Sequence, residues 1–250
     1  MLRGKQVVWA LFDDGNCSYK KAIEKFFNDE FIVYCFGINK RPFKDKQNYK
    51  YIELNLSITN KDNILSKLNK LPKPDIIMAS PPCESWSTAD CGGRMVKSIG
   101  TKSNFWEIQN ANYYEKYNNK CHPVKRRYFL QKEISRINGE NTASSCIFII
   151  EHFEPSFWVI ENPATSKIWE YIANHWCFEI PHMNKTYYSS YDKSFSTKPT
   201  IFASNKKLNL KTKKLKGNND HMALGSYDKR SAIPLNLIRD ILSKGIKNNI

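Results

Sequence analysis

The chain has 250 residues, is 41% apolar and carries a formal net charge of +15. This length and apolar content suit one large α/β unit with its own core, and the charge favours a polyanionic partner such as nucleic acid or an anionic membrane surface. No apolar run approaches the roughly 18 to 20 residues that span a bilayer, and the amino terminus lacks a signal-peptide pattern, so no membrane partner and a cytoplasmic location are expected. In chain order, Gln6 to Phe12 reads as a buried strand, Asp13 to Asn16 as a turn and Tyr19 to Phe27 as a helix. Strands follow at Phe31 to Ile38 and Tyr51 to Leu56, then a helix from about Asn60 to Asn69. The apolar run Ile76 to Ala79 is a further strand, stopped by Ser80-Pro81-Pro82 before Cys83, because neither proline continues a ladder or a helix. Thr88 to Arg127 has no clean periodicity and reads as an insertion or mobile loop, at about 88–128. Tyr128 to Phe153 returns to helical spacing, Phe157 to Ile160 is a short strand ending in Glu161-Asn162-Pro163, and later strands are expected at Tyr187 to Tyr191 and Thr200 to Ala203. Pro234 opens a terminal amphipathic helix, Leu235 to Leu242.

Strands alternating with helices predict a parallel sheet. Two of its strands then end in proline-containing polar turns, one presenting the Cys83 thiol and the other the Glu161 carboxyl group, on the edge where open α/β sheets bind ligands. The seven cysteines show no framework of short spacings, which argues for reduced thiols. Cys83, Cys91 and the Cys121-His122 pair lack zinc-ligand spacing, so no metal site is expected. A thiolate and a carboxylic acid facing one cleft suit attack on an electron-poor ring. The thiol adds to carbon 6 of a pyrimidine, the acid protonates or hydrogen-bonds ring nitrogen 3, and carbon 5 becomes a nucleophile for an electrophilic methyl group.

Ser80-Pro81-Pro82-Cys83, with Glu84, Ser85, Trp86 and Ser87 following, resembles the Pro-Cys nucleophile motif of DNA cytosine-5 methyltransferases. Glu161-Asn162-Pro163 resembles their Glu-Asn-Val motif. Leu11-Phe12-Asp13-Asp14-Gly15-Asn16-Cys17-Ser18 is similar to a degenerate form of the turn that wraps the methionine part of S-adenosylmethionine in that family. Lys198-Pro199-Thr200-Ile201-Phe202 resembles a short strand of phage-type members, and Arg230-Ser231-Ala232-Ile233-Pro234 their closing motif. The resemblance implies a reduced, phage-type member with a Rossmann-like S-adenosylmethionine-dependent methyltransferase fold. That fold is a mostly parallel seven-stranded sheet with helices on both faces, here one catalytic domain over residues 1–250. Cys83 and Glu161 are implied as catalytic residues. S-adenosylmethionine is implied as cofactor, held by Phe12, Asp13, Asp14, Gly15, Asn39, Asn55 and Pro81; Asn39 and Asn55 stand where acidic residues usually contact its ribose and adenine. Ser80, Pro82, Ser87, Asn162, Lys198, Thr200 and Arg230 are implied to bind the substrate.

The implied partner is double-stranded DNA with its target cytosine flipped out of the helix. Between Lys185 and Lys216 there are nine lysines and one acid, Asp192, enough to neutralise several phosphates. The insertion interleaves Arg94, Lys97, Lys102, Lys125, Arg126 and Arg127 with Phe105, Trp106, Tyr113, Tyr114 and Tyr117, a mixture suited to an unstacked strand. Family members usually carry a substantial target-recognition region where this chain has only Lys206 to Tyr227, too short for a core of its own. Recognition is therefore expected to be minimal, to lie in the insertion, or to come from a partner protein. RNA or a modified pyrimidine as substrate, and a catalytically silent nucleic-acid-binding relative, are the competing readings. An amino-group methyltransferase fits less well, since an aromatic residue typically follows its Pro-Pro pair where Cys83 stands here.

Overall fold

The computed structural model describes residues 4–13, 15–39, 46–87, 94–97 and 104–246; Asp14, Cys91, Lys102 and the 88–93 part of the insertion lie outside them. The elements run β1 (Gln6–Leu11), α1 (Ser18–Phe26), β2 (Phe31–Gly37), β3 (Tyr49–Glu53), α2 (Lys61–Leu68), β4 (Ile76–Ala79), β5 (Arg94–Lys97), β6 (Asn104–Glu107), α3 (Ala111–Asn118) and α4 (Phe129–Phe153). Then come β7 (Phe157–Pro163), α5 (Ile168–His175), β8 (His182–Tyr187), β9 (Pro199–Ser204), α6 (Asp220–Ala223), α7 (Tyr227–Ser231) and α8 (Leu235–Leu242). Seven strands form one sheet in the order β3-β2-β1-β4-β7-β9-β8, and β5 and β6 pair as a separate antiparallel hairpin. β3, β2, β1, β4 and β7 are mutually parallel, while β9 runs antiparallel to both β7 and β8.

Period-two alternation explains how this one sheet makes two cores. Trp9 and Leu11 of β1 enter a layer with Phe36, Ile77, Trp158 and Ile160, covered by Ile64 and Leu68 of α2, Ile147 and Ile150 of α4, and Ile168 and Ile172 of α5. Val8 and Ala10 enter the opposite layer with Val33, Met78 and Phe157, covered by Ala22 and Ile23 of α1 and by Leu237, Ile238, Ile241 and Leu242 of α8. Helices therefore cover both faces, as expected. The chain moves outward from β1 to β3 and then crosses back to place β4 on the other side of β1. That reversal is the topological switch point at which open α/β sheets bind ligands beyond the strands' carboxyl ends.

Three local expectations are corrected. β7 does not stop at Ile160 but runs on through Glu161, Asn162 and Pro163, because β9 continues to pair with it after β4 has ended at Ala79. Proline is tolerated there, where one edge of the strand is no longer laddered. The strand expected at Tyr187 to Tyr191 is instead β8, ending at Tyr187, followed by a one-turn helix at Tyr188–Ser190. Tyr188 and Ser189 are both buried, a succession that an alternating strand with one wet face does not give. The stretch between Thr88 and Arg127 contains the β5–β6 hairpin and α3 rather than being irregular throughout. Its aromatic residues also divide: Trp106 and Tyr114 are buried, whereas Tyr113 is exposed and stacks on Tyr117 at 6.4 Å. In addition, α5 fills a region where no element was expected, although Ile168, Trp169, Tyr171 and Ile172 have helical spacing and are all buried.

Candidate active site

Cys83 follows the carboxyl end of β4 in a tight turn, where the N–H groups of Trp86 and Ser87 donate to its carbonyl oxygen at 3.1 and 2.9 Å. The turn is fixed from below. Trp86 is fully buried, with ring centroids 5.3 Å from Trp106 and 5.0 Å from Tyr171, and its carbonyl accepts from the Lys167 N–H at 3.0 Å. Gly139, in the middle of α4, lets that helix lie directly against the turn: a Cβ there would meet the Ser85 hydroxyl, and would stand 2.9 Å from Ser85 Cβ and 3.0 Å from Trp86 Nε1. The lone glycine in a helical pattern was the available sequence signal for this close approach.

Glu161 lies one residue beyond the last β4–β7 pair, Ala79 with Ile160. Parallel pairing thus brings the carboxyl group to the edge where Ser80 to Cys83 emerge. The next residue ties the two motifs together, since Asn162 Nδ2 donates to the Pro81 carbonyl at 2.9 Å in a fully buried bond. Asn162 Oδ1, sealed from solvent, has no hydrogen-bond partner among the described residues. Lys198, just before β9, places Nζ 3.6 Å from Glu161 Oε1. The Tyr188 hydroxyl donates to that same oxygen at 3.0 Å, and Lys198 Nζ lies 5.1 Å from the Tyr188 ring centre. Tyr188 is fully buried, and that burial, with Glu161 adding to it, raises its phenol well above the usual range; the hydroxyl therefore stays protonated. Neither Tyr188 nor its contact was anticipated, because Tyr187-Tyr188 reads as strand composition.

The Cys83 thiol is pushed up to about 11. Burial is the main cause, Lys198 pulls against it, and Glu161 and Glu84 add to it. Lys198 and Glu161 thus act on the Cys83 thiol in opposite directions.

Among the residues singled out for a cofactor, Phe12 adopts φ 56° and Cys17 φ 52°, so two left-handed residues open the turn between β1 and α1. The Asp13 N–H donates to the Phe36 carbonyl at 3.0 Å. Its side chain is buried and adds, after burial, Cys35 and Cys17, to the raised phenol of Tyr49. Gly15 is half-buried in the same turn. Asn39 and Asn55 are exposed beyond the ends of β2 and β3. Asn55 Oδ1 accepts from the Ser57 N–H at 3.0 Å and the Asn39 carbonyl from Tyr51 Oη at 2.6 Å. Both carboxamide NH₂ groups have no partner among the described residues. Pro81 is buried and Pro82 and Ser87 are half-buried, while Ser80 Oγ shares a 2.6 Å hydrogen bond with Tyr19 Oη. Thr200 is fully buried on β9, opposite Pro163. Arg230 is exposed on α7, and its only hydrogen bond among the described residues is from its N–H to the Ser226 carbonyl. The fold thus gathers Cys83, Glu161, Asn162, Pro81 and Lys198, and among the described residues no hydrogen bond or ion pair links Arg230 to them.

No family model and no curated protein matches the chain. Solved structures similar to it include a protein described as a DNA modification methyltransferase encoded within a prophage of E. coli, with 12% identity over 80% of this chain and 46% of that one, at a TM-score of 0.44. A protein described as a ribosomal RNA methyltransferase of Plasmodium falciparum has 12% identity over 82% and 88%, at 0.40. A short chain dehydrogenase of Leptospira borgpetersenii with bound NAD+ has 9% identity over 61% and 48%, at 0.31. The chain spans about half the length of the prophage protein and of the dehydrogenase. The fold itself is defined by strand order: five parallel strands, the β1–β4 switch and an antiparallel β9 inserted between β7 and β8 make a Rossmann-like S-adenosylmethionine-dependent methyltransferase fold.

Proposed function

We propose that the chain is a DNA cytosine-5 methyltransferase that takes its methyl group from S-adenosylmethionine. The observation that carries this reading is the placement of Cys83, just past the end of β4, beside Glu161 on the neighbouring strand β7 next to the switch point, with the two motifs tied by the Asn162–Pro81 hydrogen bond. In this reading Cys83 Sγ, as thiolate, forms a bond to carbon 6 of cytosine while Glu161 gives its proton to nitrogen 3. The displaced ring electron pair makes carbon 5 a nucleophile. S-adenosylmethionine supplies, when bound, an electrophilic methyl group on a sulfonium. After methylation the carbon 5 proton passes to water, Sγ leaves with its bonding pair, and the nitrogen 3 proton returns to Glu161. Lys198 helps by favouring the thiolate.

The residues present fit the cofactor. The turn between Phe12 and Cys17, with Gly15, would hold the amino-acid end, and the amides of Asn39 and Asn55, whose NH₂ groups have no partner among the described residues, would meet ribose and adenine acceptors, with Pro81 contributing from the turn before the thiol. Asp13, turned inward, acts on the shape of the turn in this reading. The partner is duplex DNA presenting a flipped cytosine. All nine lysines between Lys185 and Lys216 except Lys198 are exposed and supply phosphate contacts. The segment after β9 is not an independent unit. It is held along β8 by bonds from the Leu208 N–H to Asn184, from Thr186 to the Lys211 carbonyl and from Ser189 to the Leu215 carbonyl, at 2.9, 2.7 and 2.7 Å. A partner protein for target recognition accords with that docked, short segment.

The test is transfer of label from S-adenosylmethionine to duplex DNA, with RNA in a parallel arm. Label on DNA cytosine, reduced about a hundredfold or more by Cys83→Ser, is the expected result. Label on RNA alone would move the substrate, and label on neither would contradict the reading.

A further inference from the structure

We infer that Tyr188 is a positioning residue that, with Lys198, claims one oxygen of Glu161 and so dedicates the other, Oε2, to proton exchange with the substrate. The inference rests on the acid role of Glu161 proposed above. The Tyr188 hydroxyl and the Lys198 ammonium both approach Oε1, at 3.0 and 3.6 Å, whereas Oε2 has no hydrogen bond or ion pair among the described residues. Glu161 keeps 8% of its surface exposed, and its Oε2 is not among the sealed polar atoms of the structure.

A carboxyl group in this setting favours one arrangement. An O–H donor and a cation engage the lone pairs of Oε1, so that oxygen serves as the carbonyl acceptor and the acidic proton sits on Oε2. The reversed arrangement would set the acid O–H beside the Lys198 ammonium, which has no lone pair, and would require the phenol to turn its O–H away and accept from the acid. Tyr188 can hold this role constantly because its hydroxyl is buried and its ring is packed edge-on against Phe195, centroids 6.0 Å apart. Lys198, which retains some exposure, is the adjustable partner. When Glu161 gives its proton to ring nitrogen 3, the carboxylate that forms is stabilised through Oε1 by both donors; when the proton returns it goes back to Oε2. No atom of Tyr188 needs to touch the ring.

Tyr188→Phe removes the donor and keeps the ring. Steady-state methyl transfer should show kcat lowered about tenfold, with KM for nucleic acid and for S-adenosylmethionine within about twofold of the wild type. Thermal unfolding of the same variant monitors packing. A lowered melting temperature with unchanged kcat would overturn the positioning role and leave the methyltransferase reading intact. Absence of methyl transfer by the wild-type chain would overturn both. Should Tyr188→Phe not fold, Lys198→Met tests the same oxygen from the partly exposed side: a kcat loss of about tenfold, beyond the roughly threefold slowing of Cys83 alkylation expected of the same variant, supports the assignment, and a kcat loss no larger than the alkylation change overturns it.

Discussion

Cys83 is a buried thiol whose ionisation the neighbouring charges pull in opposite directions. Its thiol is held up to about 11, mainly by burial, yet the proposed chemistry needs the thiolate. Because the thiol is neutral when protonated, its reactive fraction rises with pH through that value, and any nearby cation enlarges the fraction at fixed pH. Lys198 does this and Glu161 opposes it. Alkylation of Cys83 at pH 8 should therefore quicken about threefold in Glu161→Gln and slow about threefold in Lys198→Met. Iodoacetamide labelling followed by peptide mass spectrometry measures both; equal rates in all three proteins would mean that the side chains do not share one field. At this scale the sequence was readable where a residue type was forced by its setting. Two prolines stop β4 and expose Cys83, and Glu161-Asn162-Pro163 follows a short apolar strand. Tyr188 was not readable, since a tyrosine beside a tyrosine has the composition of a strand, and only the turn at Tyr188–Ser190 aims it at Glu161.

Elements hold the site through contacts that sequence spacing does not reveal. The β4–β7 pairing sets Glu161 beside the proline turn, and the antiparallel partner β9 extends β7 far enough to keep that carboxyl group on a strand rather than on a loose turn. On the other side, α4 presses its Gly139 against Ser85 and Trp86. Glycine in a helix interior costs about 1 kcal/mol relative to alanine, so Gly139→Ala would stabilise an unconstrained helix. Here the added methyl group meets Ser85 and the rigid indole of Trp86, and overpacking of this kind costs about 1–3 kcal/mol. Gly139→Ala should thus lower stability by about 1 kcal/mol net and reduce methyl transfer, by displacing the Cys83 turn. Combining it with Ser85→Gly should recover part of the loss, as a double-mutant cycle in urea would measure. A stabilised Gly139→Ala protein with full activity would show that the helix does not press on the turn. The element order before Cys83 was legible because buried strands and polar turns alternate cleanly there. The β5–β6 hairpin and α5 were not, because the hairpin's strands are only four residues long and lie amid polar residues.

For the molecule as a whole, the sheet order decides what the charge and the motifs can mean. A reversal between β1 and β4 creates a single privileged edge; the turn at Phe12 to Cys17, Asn39, Asn55 and Cys83 follow the carboxyl ends of adjoining strands there, and Glu161 lies in the last residues of β7 beside them. Alternation of strands and helices announced a parallel sheet, whereas the insertion of antiparallel β9 between β7 and β8 was invisible locally, since it depends on which strands pair across some 40 residues. Among the described residues no helix is long and apolar enough to cross a membrane, and the positive charge is concentrated in part on the exposed lysines of the segment docked along β8. The central claim is that a thiol and a carboxylic acid on this edge process one cytosine covalently. It is tested most directly by incubating the chain with S-adenosylmethionine and duplex DNA containing 5-fluorocytosine, whose fluorine cannot leave carbon 5 as a proton does. The expected product is a stable protein–DNA adduct of one-to-one mass, mapped by peptide analysis to Cys83 and absent in Cys83→Ser; an active enzyme that forms no adduct, or one that forms it at another residue, would contradict the covalent role of Cys83.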